Sequence, residues 1–504
     1  MLRKLRIIVA IASLLAMVAV FLDFSGAAYR ALSFLPKVQL VPALLSLNAL
    51  AIAVVVVLTL LVGRLYCSLL CPLGITQDVV ARLRVWLTPR RRRRTGVYSH
   101  KAPWSRTRLA ILVLFIVAAA LALTGAFAMS YAGLLEPYSI FGRAAGQWLV
   151  PLWRHYAVDL ADTAAASGMW LFDREPHAGA FEWTLASIAA AELIAVVVFA
   201  AMRGRLYCNA VCPVGTALGA VSRHALLKVT IDEDKCVSCG LCARHCKAGC
   251  IDPKAHAIDY SRCVVCFDCL DHCHTHALSF RTAKVKKAEP ATSDSGRRAF
   301  FTATGIIAGA AAARAADKVT DGGFAPLREK KSHDGVAPVP PGAISMRNLR
   351  SHCTACQLCV SVCPNGVLKP SMNPATFMQP EMHFTDGFCR PECTACSSVC
   401  PAGAIKPIDT ADKAAVRIGT ATVDTEACLW ASEGQTCGAC AAHCPTGAII
   451  MVDTHDGRKR PAVNAEACIG CGKCEYTCPA GTSDIFGRSR AAIYVKGLEQ
   501  HIKF

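Results

Sequence analysis

Of the 29 cysteines in the sequence, 24 fall into six groups of four. The regular groups read C-x2-C-x2-C-x3-C, a spacing suited to iron–sulfur ligation rather than to disulfides. Three close thiolates cap three irons of a cubane, and the fourth ligand arrives from elsewhere. The first two groups are Cys236, Cys239, Cys242, Cys246 and Cys263, Cys266, Cys269, Cys273. Two intact quartets in tandem favour clusters over zinc. In two-cluster ferredoxins the fourth cysteine crosses to the neighbouring cluster. One cluster is therefore assigned to Cys236, Cys239, Cys242 and Cys273, and the other to Cys263, Cys266, Cys269 and Cys246. Lys247 and His274 stand where proline commonly follows the fourth cysteine. Cys250 is surplus and reads as a small buried apolar residue, while His274 and His276 read as polar surface.

The C-terminal region carries four more quartets. Cys353, Cys356, Cys359, Cys363 and Cys468, Cys471, Cys474, Cys478 keep the regular spacing. Cys389, Cys393, Cys396, Cys400 opens to C-x3-C, and Cys428, Cys437, Cys440, Cys444 opens to C-x8-C. Six [4Fe–4S] clusters are thus expected in all. The spacing leaves open which of these quartets exchange ligands; the preferred arrangement pairs the first with the last and the middle two with each other, so that the regular quartets bracket the altered ones.

Four further cysteines, Cys67, Cys71, Cys208 and Cys212, lie in an internal repeat, GRLYCSLLCPLG at 63–74 and GRLYCNAVCPVG at 204–215. If the two copies are related by symmetry, four thiolates converge, enough for a metal or a seventh cluster. Cysteines at i and i+4 are equally compatible with packing or docking. Arg64 and Arg205 either neutralise an anionic centre or snorkel to the interface.

The elements that must position these groups are mostly apolar helices. The chain of 504 residues is 54% apolar and 18% charged, with a net charge of +18. This excludes a disordered or coiled-coil protein and points to a chain partly in lipid. Nucleic acid is not an expected partner, because the basic clusters, including Arg90–Arg94, lie beside apolar spans. Spans are expected at Ile7–Leu22, Val38–Val62, Leu109–Met129 and Trp183–Met202, near the roughly 20 residues of a crossing. No cleavable signal is expected at the start. Arg3, Lys4 and Arg6 precede the first span, and bases also follow the second and the fourth. Both ends of the four-span unit are therefore expected in the cytoplasm, and Ser130–Glu182 outside. Asp23 and Glu136 are expected to be solvated at outer span ends.

The expected architecture is a duplicated four-span α-helical membrane domain at 1–228, its halves parallel. It is followed by α+β ferredoxin-like domains: two clusters at 229–280, a linker at 281–345 and four clusters at 346–504.

The four spans, the doubled GRxYCxxxCPxG and the paired quartets up to about Arg281 resemble the NapH family of membrane quinol dehydrogenases. The remainder resembles the NapG/MauM type of periplasmic ferredoxin, which has a twin-arginine signal and four quartets. Those proteins are separate chains, whereas here both patterns share one polypeptide. The resemblance implies quinol as substrate, the membrane quinone pool as partner, and electron flow towards a periplasmic reductase or cytochrome. It implies a multi-pass protein of the inner membrane with the C-terminal four-cluster domain outside. Arg297 and Arg298, ahead of an Ala/Gly-rich stretch to Ala313, have the order of a twin-arginine signal, with small residues near Ala313 and Ala315 for cleavage. Quinol oxidation releases protons, and Glu192 in the fourth span is the candidate proton acceptor, set against a plain hydrogen-bonded helix contact. Two other readings are a cytoplasm-facing flow from ferredoxin to quinone, and an assembly factor for another membrane redox enzyme.

Overall fold

The structure is a computed structural model that describes residues 2–23, 27–89, 97–100, 104–125, 128–166, 183–282, 336–432, 434, 437–454, 457–481 and 491–503. The first half of the N-terminal helical domain runs through α1 (Leu2–Leu22), three short helices α2 (Ala27–Leu32), α3 (Phe34–Lys37) and α4 (Leu40–Leu45), then α5 (Ala49–Val62), α6 (Tyr66–Leu69) and α7 (Pro72–Leu87). The second half runs through α8 (Ser105–Leu123), α9 (Met129–Gly133), α10 (Pro137–Ala144), α11 (Val150–Ala166), α12 (Trp183–Arg203), α13 (Leu206–Ala210) and α14 (Pro213–Ser222). Among the described residues three helices, α1, α8 and α12, are long and apolar enough to cross a membrane. Their exposed residues include Ile8, Leu15, Leu109, Leu114 and Ile194, as a lipid-facing surface requires.

Two expectations are corrected here. The span expected over Val38–Val62 is broken. Asn48 caps a fresh helix, its side chain accepting from the Ala51 amide at 3.1 Å. The 14 residues of α5 fall short of a full crossing. Within Ser130–Glu182 the described residues form most of α9 together with α10 and α11, and every residue of α10 is buried. Glu136 begins α10 as its cap, followed by Pro137, and is itself buried rather than solvated.

The halves interlock. α7 packs on α10 and α12 of the second half, while α14 packs on α5 of the first and on α8. This swap brings the two GRLYC turns together in one buried core.

The ferredoxin unit is closed by β1 (Leu227–Ile231) and β4 (Leu278–Thr282), antiparallel with Leu227 opposite Thr282. An inner hairpin, β2 (Ile251–Asp252) and β3 (Ala257–Ile258), separates its cysteine loops. In the C-terminal unit β5 (Leu368–Pro370) pairs with β6 (Pro380–Met382). There β7 (Val416–Val423) pairs with β10 (Ile493–Lys503), around the hairpin of β8 (Ile449–Asp453) and β9 (Lys459–Val463). The last ten residues of the expected linker belong to this unit: Gly497 donates to the Val336 carbonyl and Met382 to that of Pro338, both at 2.8 Å.

The two units sit at opposite ends of α1. At its start Arg3 pairs with Asp268 and Asp271, each at 2.9 Å. Near its end Met17, Val20 and Phe21 share one core with Leu349, Leu358 and Val362 of the C-terminal unit. At 1.5 Å per residue α1 spans about 30 Å. The twin-arginine-like segment with Arg297, Arg298, Ala313 and Ala315 lies outside the described residues.

Candidate metal centres

The cysteines of the two repeats share one buried core. Cys71 and Cys212 cap α7 and α14, with Pro72 and Pro213 as first helical residues, so both helix N-termini point at sulfur. The arginines cross over. Arg64 donates to the Cys208 carbonyl at 3.1 Å, and Arg205 to the Cys67 carbonyl at 2.8 Å. Both are fully buried, so neither snorkels.

Donors gather on the sulfurs. Gln77 Nε2 lies 3.1 Å from Cys208 Sγ and the Gly215 amide 3.2 Å from Cys212 Sγ. Arg64 Nη2 is 3.9 Å from Cys67 Sγ. Gly74 and Gly215 are required by this closeness: a Cβ there would lie 2.3 Å from the Cys67 carbonyl oxygen and 2.2 Å from that of Cys208.

The first repeat also docks the ferredoxin unit. Asp78 accepts from Arg205 at 2.7 Å and Arg6 at 2.7 Å, and pairs with Lys247 at 3.0 Å. Lys247 reaches on to Asp268 at 3.1 Å. Burial alone would push the Asp78 carboxyl up, but Arg205, Lys247 and Arg6 hold it well below the usual carboxylate range. Burial likewise opposes the charge of Asp268, and Lys247 and Arg3 hold it low. Lys247, in the place of the usual proline, is thus a docking residue. From the other repeat Asn209 receives Arg64 at 2.8 Å and donates to the Ala248 carbonyl at 3.2 Å. Sequence reading missed Asp78, Gln77 and Asn209; their nearness to the cysteine motifs was the available signal.

Within the ferredoxin unit the thiols gather in two groups. Cys242 interacts with Cys236, Cys239 and Cys273, and Cys269 with Cys263, Cys266 and Cys246. The second set walls a small cavity together with Cys250. Cys250 is buried, its sulfur 3.5 Å from that of Cys246. His274 and His276 are exposed.

The C-terminal pairing corrects the expectation. One cavity is walled by Cys389, Cys393, Cys396 and Cys363, and another by Cys428, Cys437, Cys440 and Cys478. Cys400 accordingly faces Cys353, Cys356 and Cys359, and Cys444 faces Cys468 and Cys471. Neighbouring quartets exchange ligands because each neighbouring pair is folded around its own hairpin, β5–β6 or β8–β9. The sets also have an order. The Cys356 carbonyl is pressed against Gly142 of α10, where a Cβ would lie 2.3 Å from its oxygen. The Cys389 set adjoins the Cys468 set through Cys389 N donating to the Cys471 carbonyl at 2.9 Å. The Cys428 set lies beyond.

Glu192 is gripped by Arg143 through two bonds, of 2.8 and 3.0 Å, which is the helix-contact arrangement. Glu136 accepts from the Tyr138 and Ser139 amides, and Ser139 donates to Thr354 of the C-terminal unit at 2.9 Å.

Among the described residues no three His, Cys, Asp or Glu side chains close on a point as a single metal ion requires. That holds for the ferredoxin quartets too, whose ligands must stand around a cubane rather than an ion. The cavities walled by four cysteines fit such a group.

Residues 45–94 with 189–231, and residues 229–252, match two families each described as a 4Fe-4S binding domain. Residues 259–367 and 435–482 match two families described as 4Fe-4S dicluster domains. The chain is 28% identical over 200 residues to the methylamine utilization ferredoxin-type protein MauN of Paracoccus denitrificans, covering 39% of this chain and 50% of that protein. The chain thus spans half the length of that relative. It is also 48% identical over 40 residues to an uncharacterised protein of Methanocaldococcus jannaschii, 8% of this chain and 16% of the other. No solved structure matches it. The 4Fe-4S domains and the ferredoxin-type relative support an iron–sulfur electron-transfer protein.

Proposed function

We propose that this iron–sulfur electron-transfer protein oxidises quinol at its membrane half and passes electrons to a reductase or cytochrome outside the cytoplasmic membrane. It would act as a NapH-type protein joined to a NapG/MauM-type ferredoxin. The observation that carries the reading is the placement of two cluster-binding units at opposite ends of α1. Six quartets supply thiolates for six [4Fe–4S] clusters, which store and release single electrons when bound. The chain supplies their order, leading from Cys356 beside α10 to the Cys428 set at the far end.

Sidedness follows from charge. Arg3, Arg6, Arg203, Arg223 and Lys228 belong to the end that holds the ferredoxin unit. The positive-inside rule puts that end in the cytoplasm and the C-terminal unit outside, consistent with Arg297 and Arg298 acting in export. For the protons of quinol, Glu192 would have to surrender Arg143. Glu136, buried and accepting from the Tyr138 and Ser139 amides, is the better-placed acceptor.

A second reading reverses the flow. Cys239 is exposed on the ferredoxin unit, as a docking site for a soluble electron donor would be. Anaerobic protein mixed with a quinol and followed by electron paramagnetic resonance tests the first reading. Reduced-cluster signals are expected. Signals from dithionite but none from quinol would remove quinol oxidation, and a redox titration against the quinone pool fixes the direction.

A further inference from the structure

The quartet Cys389, Cys393, Cys396, Cys400 is opened by one residue between its first two cysteines, and Lys413 fills the opening. It lies on a short helix, Thr410–Ala414, capped by Asp409, whose side chain accepts from the Asp412 amide at 2.6 Å. The Lys413 ammonium is buried and donates to the carbonyls of Arg390 and Cys393, which flank Pro391 and Glu392 of the opened loop. A second cation comes from the helical domain. Arg154 of α11, also buried, donates to the Ser361 carbonyl at 2.6 Å and to that of Cys363 at 3.1 Å. Cys363, Cys389, Cys393 and Cys396 wall one cavity, so both cations touch the loops of a single ligand set.

Neither cation has a carboxylate partner among the described residues. The acids nearest Lys413 in the chain are committed elsewhere: Asp412 pairs with Lys503 at 2.7 Å and Asp409 caps the helix. Glu392 is exposed. Burial pushes the Cys389 thiol up, to about 11, against the pull of the Lys413 ammonium beside it. The other sets of the C-terminal unit lack such a surplus. Cys356 faces Glu136 and Arg143, which are opposite in charge. Cys440, Cys471 and Cys474 are surrounded chiefly by other thiols and backbone amides.

An uncompensated buried cation is costly, and an anionic cluster would balance it. A cluster gains negative charge on reduction, so a fixed positive neighbour in a low-dielectric site favours the reduced form. We propose that Lys413 and Arg154 give the cluster of Cys363, Cys389, Cys393 and Cys396 the highest midpoint potential in the C-terminal unit, making it the first of the four to be reduced. In each passage it takes one electron from the Cys353 set and yields one to the Cys468 set. No bond and no proton is exchanged. Both residues act through their charge on the cluster and neither is a ligand. The inference rests on the electron-transfer reading but not on quinol being the donor.

The test is a redox titration of the full chain, prepared anaerobically, with dithionite and mediators and followed by electron paramagnetic resonance. Cys356→Ala, Cys393→Ala, Cys437→Ala and Cys471→Ala mark the signals of the four sets, and the Cys393 signal should appear at the highest potential. Lys413→Gln removes the charge and keeps an N–H donor. It should lower the potential of that signal alone, and Lys413→Arg should restore it. Arg154→Gln should lower the same signal, and it serves if the Lys413 variants do not accumulate. A Cys393 signal below any of the other three would overturn the inference, and a signal unmoved in either charge variant would overturn the role of that cation. Unchanged iron content in Cys393→Ala would instead remove the cluster, and the electron-transfer reading of this quartet with it. Because dithionite replaces quinol, failure of quinol oxidation would leave these outcomes unaffected.

Discussion

The two copies of the GRLYC repeat do the same work at the cysteines and different work fifteen residues after their first glycine. Cys67 and Cys208, Cys71 and Cys212, Arg64 and Arg205, Gly74 and Gly215 occupy matching places. Asp78 in the first copy corresponds to Gly219 in the second. Asp78 gathers Arg205, Arg6 and Lys247, whereas Gly219 leaves room for the Ser261 carbonyl to approach Arg108. The residues that stay alike build the thiol site. Those that differ seat one asymmetric ferredoxin unit on the paired motifs.

Removing the charge that distinguishes the first copy should have the largest effect. Asp78→Asn leaves Arg205, Lys247 and Arg6 buried without their carboxylate, a loss of about 3–5 kcal/mol for such a group. Chemical denaturation should show that loss, with release of the ferredoxin unit read as increased proteolysis near Lys228.

Steric probes sharpen the comparison. Gly74→Ala and Gly215→Ala place a Cβ against matching carbonyls, so each should cost a similar amount, about 1–3 kcal/mol. Gly219→Ala puts a Cβ 2.4 Å from the Ser261 oxygen and should loosen the ferredoxin unit while sparing the thiol site. Unequal effects of the first two, measured by thermal unfolding, would contradict the matched geometry.

The smallest effect is in pH. The carboxyls of Asp78 and Asp268 are held below their unfolded values, so their contribution is complete above about pH 4 and is lost only as pH falls further. The penalty of Asp78→Asn should therefore be constant between about pH 5 and 8. A penalty that faded at the acid end of that range would show Asp78 titrating in it.

Chemistry was more legible than depth. Cysteine spacing is local, so the quartets and the repeat were readable. Pairing in the C-terminal unit was not, because it depends on which hairpins fold between quartets. The break before α5 had a visible signal in Asn48, and the start of α10 in Glu136 followed by Pro137, but apolar length outweighed both. Glu192 read as an isolated membrane acid because its partner, Arg143, lies in a segment whose polar residues suggested solvent. Burial of Arg64 and Arg205 arises only when the halves interlock, which no single stretch of sequence records.

Electron flow out of the cytoplasm requires the two cluster-binding units to face opposite sides of the membrane. One measurement addresses it: sidedness reporters on the full chain, one before Met1 and one after Phe504. The expected result is a cytoplasmic signal from the first and an external signal from the second, the latter lost in Arg297→Lys/Arg298→Lys. Both reporters on one side would contradict the account.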